Sequence, residues 1–232
     1  MEIVIHVGLH KTGTTFLQRR VFPNMDVNFI THPKKFLLDL KQDKINLISE
    51  EELSGRPHYI YEKNVRYKFA DSLHSMFPDA KIIVGFRNTD SWLNSLWKQY
   101  VWRGGTKSKD EFISRFKGDY LNFEMYKEYL EERFPAVHVY QFEELLKKPD
   151  ETIKAMADFI GVPMPEYVMA KDNVSWSDDR IAVLRKLNYL VWTDEHPGII
   201  PINIWRVFME LIRFRERAWI VQDRVIRNEE KE

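Results

Sequence analysis

Gly8-Leu9-His10-Lys11-Thr12-Gly13-Thr14-Thr15 groups a lysine, a histidine and three hydroxyls around two glycines. Set between a strand and a helix, such a loop aims backbone N–H groups and a helix N-terminus at an anion, and phosphate suits that chemistry. A nucleoside-triphosphate loop, G-x-x-x-x-G-K-[ST], carries its lysine directly after the second glycine. Gly8 and Gly13 keep that separation, but Thr14 takes the lysine's place and the lysine stands at position 11. A magnesium-dependent phosphotransferase needs the lysine on the β- and γ-phosphates, so the displacement argues against one. The bland alternative is a turn that caps the helix through Thr12 or Thr14. A second cluster, Glu50-Glu51-Glu52, closes the apolar run at 45–48. With parallel strands these carboxylates fall at the same edge as the Lys11 loop; equally, they are a helix-start charge run favoured by the helix dipole.

The elements that must hold these groups follow from apolar spacing. Residues 3–7 form an apolar run stopped by Gly8, and 14–22 read as a helix ending before Pro23. Further strands are expected at 27–30, 45–48, 81–86 and 137–142. In 89–102 the residues Trp92, Leu93, Leu96, Trp97, Tyr100 and Val101 form one apolar stripe, which assigns both tryptophans to the core and puts Ser91 and Ser95 on the other face. Helices are also expected at 120–134, at 149–159 with Gly161 closing it, and at 178–192 with Ser175 or Ser177 as cap. Strands alternating with helices imply an α/β fold with a parallel sheet covered on both faces.

Composition narrows the functions. The 232 residues carry 35 Lys+Arg against 35 Asp+Glu and no Cys. Zero net charge argues against nucleic acid as partner, and the lack of Cys removes disulfides, thiolate metal sites and thiol nucleophiles. No run approaches the ~18 apolar residues of a membrane span and no basic leader opens the chain, so a soluble, cytoplasmic protein is expected. Residues 1–192 read as one domain, with 193–232 a helical extension packed on it. In that extension Trp205, Phe208 and Trp219 alternate with Arg206, Arg213 and Arg217. A packing arm, a dimer contact or an interfacial membrane helix would all use that pattern, and Glu210, Glu216 and Asp223 dilute its basic face against the membrane reading.

His6-Val7-Gly8-Leu9-His10-Lys11-Thr12-Gly13-Thr14-Thr15-Phe16-Leu17-Gln18 resembles the 5′-phosphosulfate loop of sulfotransferases that use 3′-phosphoadenosine 5′-phosphosulfate (PAPS), in particular the bacterial and Golgi-like carbohydrate branch. That family also carries an Arg at the end of a later strand and a Ser eight residues on, which hold the 3′-phosphate. Arg87 and Ser95 have this spacing. An Arg at a carboxyl strand end also lies where open α/β sheets bind ligands. The chain departs from the common pattern at Thr89 and Trp92, where the family more often has Pro and Arg, and is closer to a bacterial subgroup with W-L-x-S-L. The resemblance implies a three-layer P-loop-type fold and spans about residues 1–192.

It also implies roles. Lys11 would contact the bridging oxygen and 5′-phosphate, and Thr12, Gly13, Thr14 and Thr15 would supply backbone and hydroxyl donors. The subgroup's I-S-x-E-x-L places its acid at Glu51, the expected base, with His10 the first substitute and His32 and His58 behind it. Asn173, in an N-x-S element with Ser175, would be a nucleotide contact unless Ser175 merely caps. The implied activity is sulfuryl transfer from PAPS to a hydroxyl or amine, most naturally of a carbohydrate, releasing 3′-phosphoadenosine 5′-phosphate (PAP) without metal. The rival readings are a magnesium-dependent phosphotransferase and a non-catalytic nucleotide-binding module.

Overall fold

The computed structural model describes residues 1–31, 39–55, 65–116, 118–169 and 176–190. Its centre is a five-stranded sheet in the order β2-β3-β1-β4-β5. The strands are β1 (Ile3–Gly8), β2 (Asn28–Ile30), β3 (Asn46–Glu50), β4 (Lys81–Phe86) and β5 (Ala136–Gln141), and every pairing is parallel. The helices are α1 (Thr14–Phe16), α2 (Val65–Met76), α3 (Thr89–Trp102), α4 (Lys109–Ile113), α5 (Phe123–Glu131), α6 (Phe142–Lys147), α7 (Pro149–Ile160) and α8 (Asp178–Asn188).

Side-chain alternation along β1 produces the layers. Ile3, Ile5 and Val7 join Ala70 and Leu73 of α2 and Tyr126 and Leu130 of α5 in one core. Val4 points the other way, into a second core with Leu17, Val21 and the α7 residues Ile153, Met156, Ala157 and Ile160. The α7 residues recur at the i, i+3, i+4, i+7 spacing of a helix with one buried face; Pro149 opens it and Gly161, at φ 94°, closes it. All six residues of β1 are buried, and His6 is the polar exception. The expected three-layer α/β fold with a central parallel sheet is the one observed.

The sheet also sets the site's place. The chain runs from β1 to β2 and β3 on one side, then crosses to β4 and β5 on the other. The crevice at the carboxyl ends of β1, β3 and β4 is therefore a topological switch point, where open α/β sheets bind ligands. Register brings Val7 opposite Glu50, and Gly8 opposite Gly85, so the segments that follow leave the sheet at one level.

Two local expectations are corrected. The helix from Thr14 does not stop before Pro23: it widens into a π-helical stretch at Leu17–Val21 and tightens into a 3₁₀ turn at Phe22–Asn24. Pro23 fits there because the first residues of a helical turn need no intrahelical N–H. Helix α8 ends at Asn188, with 191 and 192 outside the described residues.

The chain divides into two compact units. The first, Met1–Leu96 with Glu111–Ser175, holds the sheet. The second comprises Trp97–Asp110 and Trp176–Glu232. Within the second, Asn188 Nδ2 donates to the carbonyls of Val101 (2.8 Å) and Gly105 (2.9 Å), and Lys98 pairs with Asp178 at 2.6 Å. The boundary expected at 192/193 and the extension after it lie outside the described residues. No helix among the described residues is long and apolar enough to cross a membrane.

Candidate functional site

The loop after β1 is held by its carbonyls. Ser54 Oγ donates to Gly8 O (2.8 Å), Thr12 Oγ1 to Leu9 O (2.6 Å), Trp92 Nε1 to His10 O (2.7 Å), Arg87 Nη1 to Lys11 O (3.0 Å) and Tyr140 OH to Thr12 O (3.2 Å). Five consecutive acceptors are thus fixed by side chains from four separate parts of unit 1 and from the loop itself. No peptide bond among the described residues is cis, so each pinned carbonyl turns the next residue's N–H the opposite way. The N–H groups from Leu9 to Gly13 therefore have fixed directions, and fixed N–H dipoles in a loop at a strand end are what anion sites are built from. The loop's shape needs left-handed backbone at Lys11 (φ 67°) and Gly13 (φ 88°). Gly13 accepts that conformation without cost; Lys11 does so under strain, a mark of sites whose surroundings over-determine them. Gly8 has a different reason, since a Cβ there would stand 2.5 Å from Thr14 Oγ1.

Behind the loop runs a buried polar chain. Tyr140 spends its only hydroxyl proton on Thr12 O, so its oxygen accepts from His6 Nε2 at 3.2 Å. His6 Nδ1 is then the acceptor for Ser49 Oγ at 2.7 Å, and Ser49 Oγ accepts from Gln18 Nε2 at 3.1 Å. This ordering requires a neutral His6, and burial, opposed only by the charge of Glu51, pushes its pKa down to about 4. Gly85 makes room, because a Cβ there would lie 2.3 Å from the Tyr140 ring.

The three carboxylates take three roles. Glu50 ends β3 and its side chain accepts from Glu52 N–H, capping the 3₁₀ turn Glu51–Ser54. Glu52 is exposed. Glu51 faces the loop, with Oε2 3.1 Å from His10 Nδ1. Burial pushes its carboxyl up, but the hydrogen bond and charge of His10 and the charges of Lys11 and His6 outweigh this and hold it below the ordinary carboxylate range. Ser54 Oγ also reaches Glu51 O at 2.9 Å, tying the acid's backbone to the loop.

At the end of β4, Arg87 lies against the Phe142 ring (4.5 Å to its centre) and donates Nε to Ser91 Oγ at 2.9 Å. Burial lowers its pKa and the charge of Glu143 opposes that shift. Ser95, half-buried, follows Ser91 one turn along α3. A cation next to oriented N–H groups, and a second cation on the same loop, suit a ligand with more than one phosphate.

Residues 30–166, more than half of the chain, match the model of the sulfotransferase family. The chain belongs to the sulfotransferase family. Among the solved structures similar to this sulfotransferase are the following three. A sulfotransferase from Alicyclobacillus acidocaldarius shares 17% identity, over 82% of this chain and 93% of that one, with a TM-score of 0.48. A mouse sulfotransferase complexed with PAP shares 14%, over 81% and 64%, with a TM-score of 0.49. The sulfotransferase domain from the curacin biosynthetic pathway shares 13%, over 71% and 75%, with a TM-score of 0.46. Comparison with curated proteins gives no match.

Of the residues singled out in this sulfotransferase's sequence, the structure brings together His10, Lys11, Thr12, Gly13, Glu51 and Arg87. Thr12 and Thr14 are buried whole, with the Thr12 hydroxyl spent on Leu9 O; Thr15 is half-buried. Asn173 and Ser175, with His32 and His58, lie outside the described residues. Trp92 is in the core, as its spacing implied, and also pins the loop, whereas Trp97, expected beside it, is half-buried and donates Nε1 to Lys107 O at 3.2 Å. The sequence assigns no site role to His6, Ser49, Ser54 or Tyr140, and places Ser91 only on the polar face of α3. Of the first four, only His6 left a trace in sequence, as the one polar residue inside an apolar strand.

Proposed function

We propose that this sulfotransferase moves a sulfuryl group from PAPS to a hydroxyl or amine, with carbohydrate as the acceptor class, and releases PAP. The observation that carries the reading is the row of pinned carbonyls, which orients loop N–H groups beside Lys11 while Glu51 and His10 stand at the same loop. The donor set fits PAPS: N–H groups and Lys11 suit the 5′-phosphosulfate, and Arg87 with the start of α3 suits the 3′-phosphate. PAPS, when bound, supplies the sulfuryl group on a phosphate that can leave.

In the transfer the acceptor oxygen bonds to sulfur, the sulfur–oxygen bond to the phosphate breaks, and the acceptor proton goes to the protein. Glu51 takes that proton, being anionic at neutral pH, and His10 holds its carboxylate in place. Lys11 balances the charge that accumulates on the leaving phosphate, a preorganised contribution of on the order of 10²- to 10³-fold in rate. Carbohydrate as acceptor rests on the likeness of the loop to that branch of the family.

Sulfur-labelled PAPS offered with a panel of carbohydrate, phenol and amine acceptors tests the reading. Label on a carbohydrate, lost in Glu51→Gln, is expected. Label on other acceptors alone would overturn the acceptor class, and no transfer to any acceptor with no PAPS binding would overturn the function.

A further inference from the structure

Glu143, the second residue of α6, sits among the donors of the Arg87 site. Its Oε1 accepts from Asn88 N–H at 3.1 Å and stands 3.4 Å from Ser91 Oγ. Asn88 and Ser91 open α3, and Ser91 Oγ is also the group that receives Arg87 Nε. A carboxylate therefore occupies the positive end of a 14-residue helix next to a half-buried guanidinium, the two features that would attract a phosphate there. The aromatic face of Phe142 lies against Arg87, and Ser91, which receives Arg87 Nε and donates to Asn88 O at 3.0 Å, stands between Glu143 and the guanidinium, so a phosphate on Arg87 arrives beside the Glu143 carboxylate.

We propose that Glu143 is a resident anion of the Arg87 site and a specificity-determining residue. It completes the site when the 3′-phosphate is absent and competes with that phosphate when it arrives. The proposal rests on the reading of Arg87 as the 3′-phosphate contact. In this arrangement the protein keeps its Arg87 charge compensated between turnovers and holds the 3′-phosphorylated product less tightly than its donors alone would. A neutral amide at 143 keeps the acceptor for Asn88 N–H but removes the repulsion. Glu143→Gln should therefore bind adenosine 3′,5′-bisphosphate more tightly and leave adenosine 5′-monophosphate, which has no 3′-phosphate, unchanged.

Calorimetric titration of both nucleotides into the parent chain and Glu143→Gln tests this, with Glu143→Ala as a second variant. Expected is a gain of about threefold to tenfold for the bisphosphate alone, the effect of removing one like charge at hydrogen-bond range. A parent that prefers the bisphosphate, with the preference unchanged or weakened in both variants, would overturn the proposal and leave the Arg87 reading standing. No preference in parent or variants would overturn both. A preference that emerges only in the variants would support the proposal in a stronger form, with Glu143 blocking the site.

Discussion

Lys11 combines a charge the proposed chemistry needs with a backbone conformation that lysine adopts only under strain, at φ 67°. The two properties can be separated. Lys11→Gly keeps the loop's shape and relieves the strain, so it should melt no lower than the parent and be stabilised by up to about 1 kcal/mol, while turnover falls on the order of 10²-fold or more. Thermal melts and single-turnover rates on the same preparation check both halves. Glu51 allows a pH test. Its folded pKa is depressed, so it remains ionised until pH falls below the ordinary carboxylate range. As proton acceptor it should give a rate that stays level from neutral pH down to that range and then declines. A rate unchanged in Glu51→Gln would transfer the role to His10. Lys11, Glu51 and Arg87 were legible in the sequence because charge type and spacing from a strand end survive in one dimension. Resemblance selects Glu51 among the three carboxylates, and the structure sets it apart: Glu50 caps the 3₁₀ turn, Glu51 meets the loop histidine, and Glu52 is exposed.

Strands and helices were read more easily than the contacts between them. Apolar runs and the stripe on α3 sufficed for the alternating order, whereas the pins on the loop come from Tyr140, Trp92 and Ser54, which are distant in sequence and of types that usually pack or cap. Tyr140 lies 128 residues from the carbonyl it holds. The same distance hides His6, whose partners are on β3 and β5. Its burial has a consequence for stability. The folded pKa of about 4 is below the ordinary 6.5, so the unfolded chain takes up the proton first. The His6 contribution is complete above pH 6.5, declines as pH falls toward 4, and amounts to about 3 kcal/mol over that window. Denaturant unfolding at pH 7 and pH 5 should show the loss, and His6→Gln should flatten it. An equal slope in the variant would assign the acid sensitivity to other groups.

At the scale of the molecule, a chain with zero net charge places two of its cations, Lys11 and Arg87, together at one edge of a parallel sheet. The switch in strand order puts the ends of β1, β3 and β4 side by side, and each is followed by one member of the proposed site: Lys11, Glu51 and Arg87. Membership of the sulfotransferase family fixes the reaction class; the nucleotide is the central claim beyond it. Calorimetric titration with PAP, and separately with ATP plus magnesium, at fixed ionic strength tests it most directly. PAP should bind, ATP with magnesium should bind weakly or not at all, and Arg87→Ala should abolish most of the PAP affinity. Binding of ATP with magnesium in preference to PAP, or PAP binding indifferent to Arg87→Ala, would contradict the account.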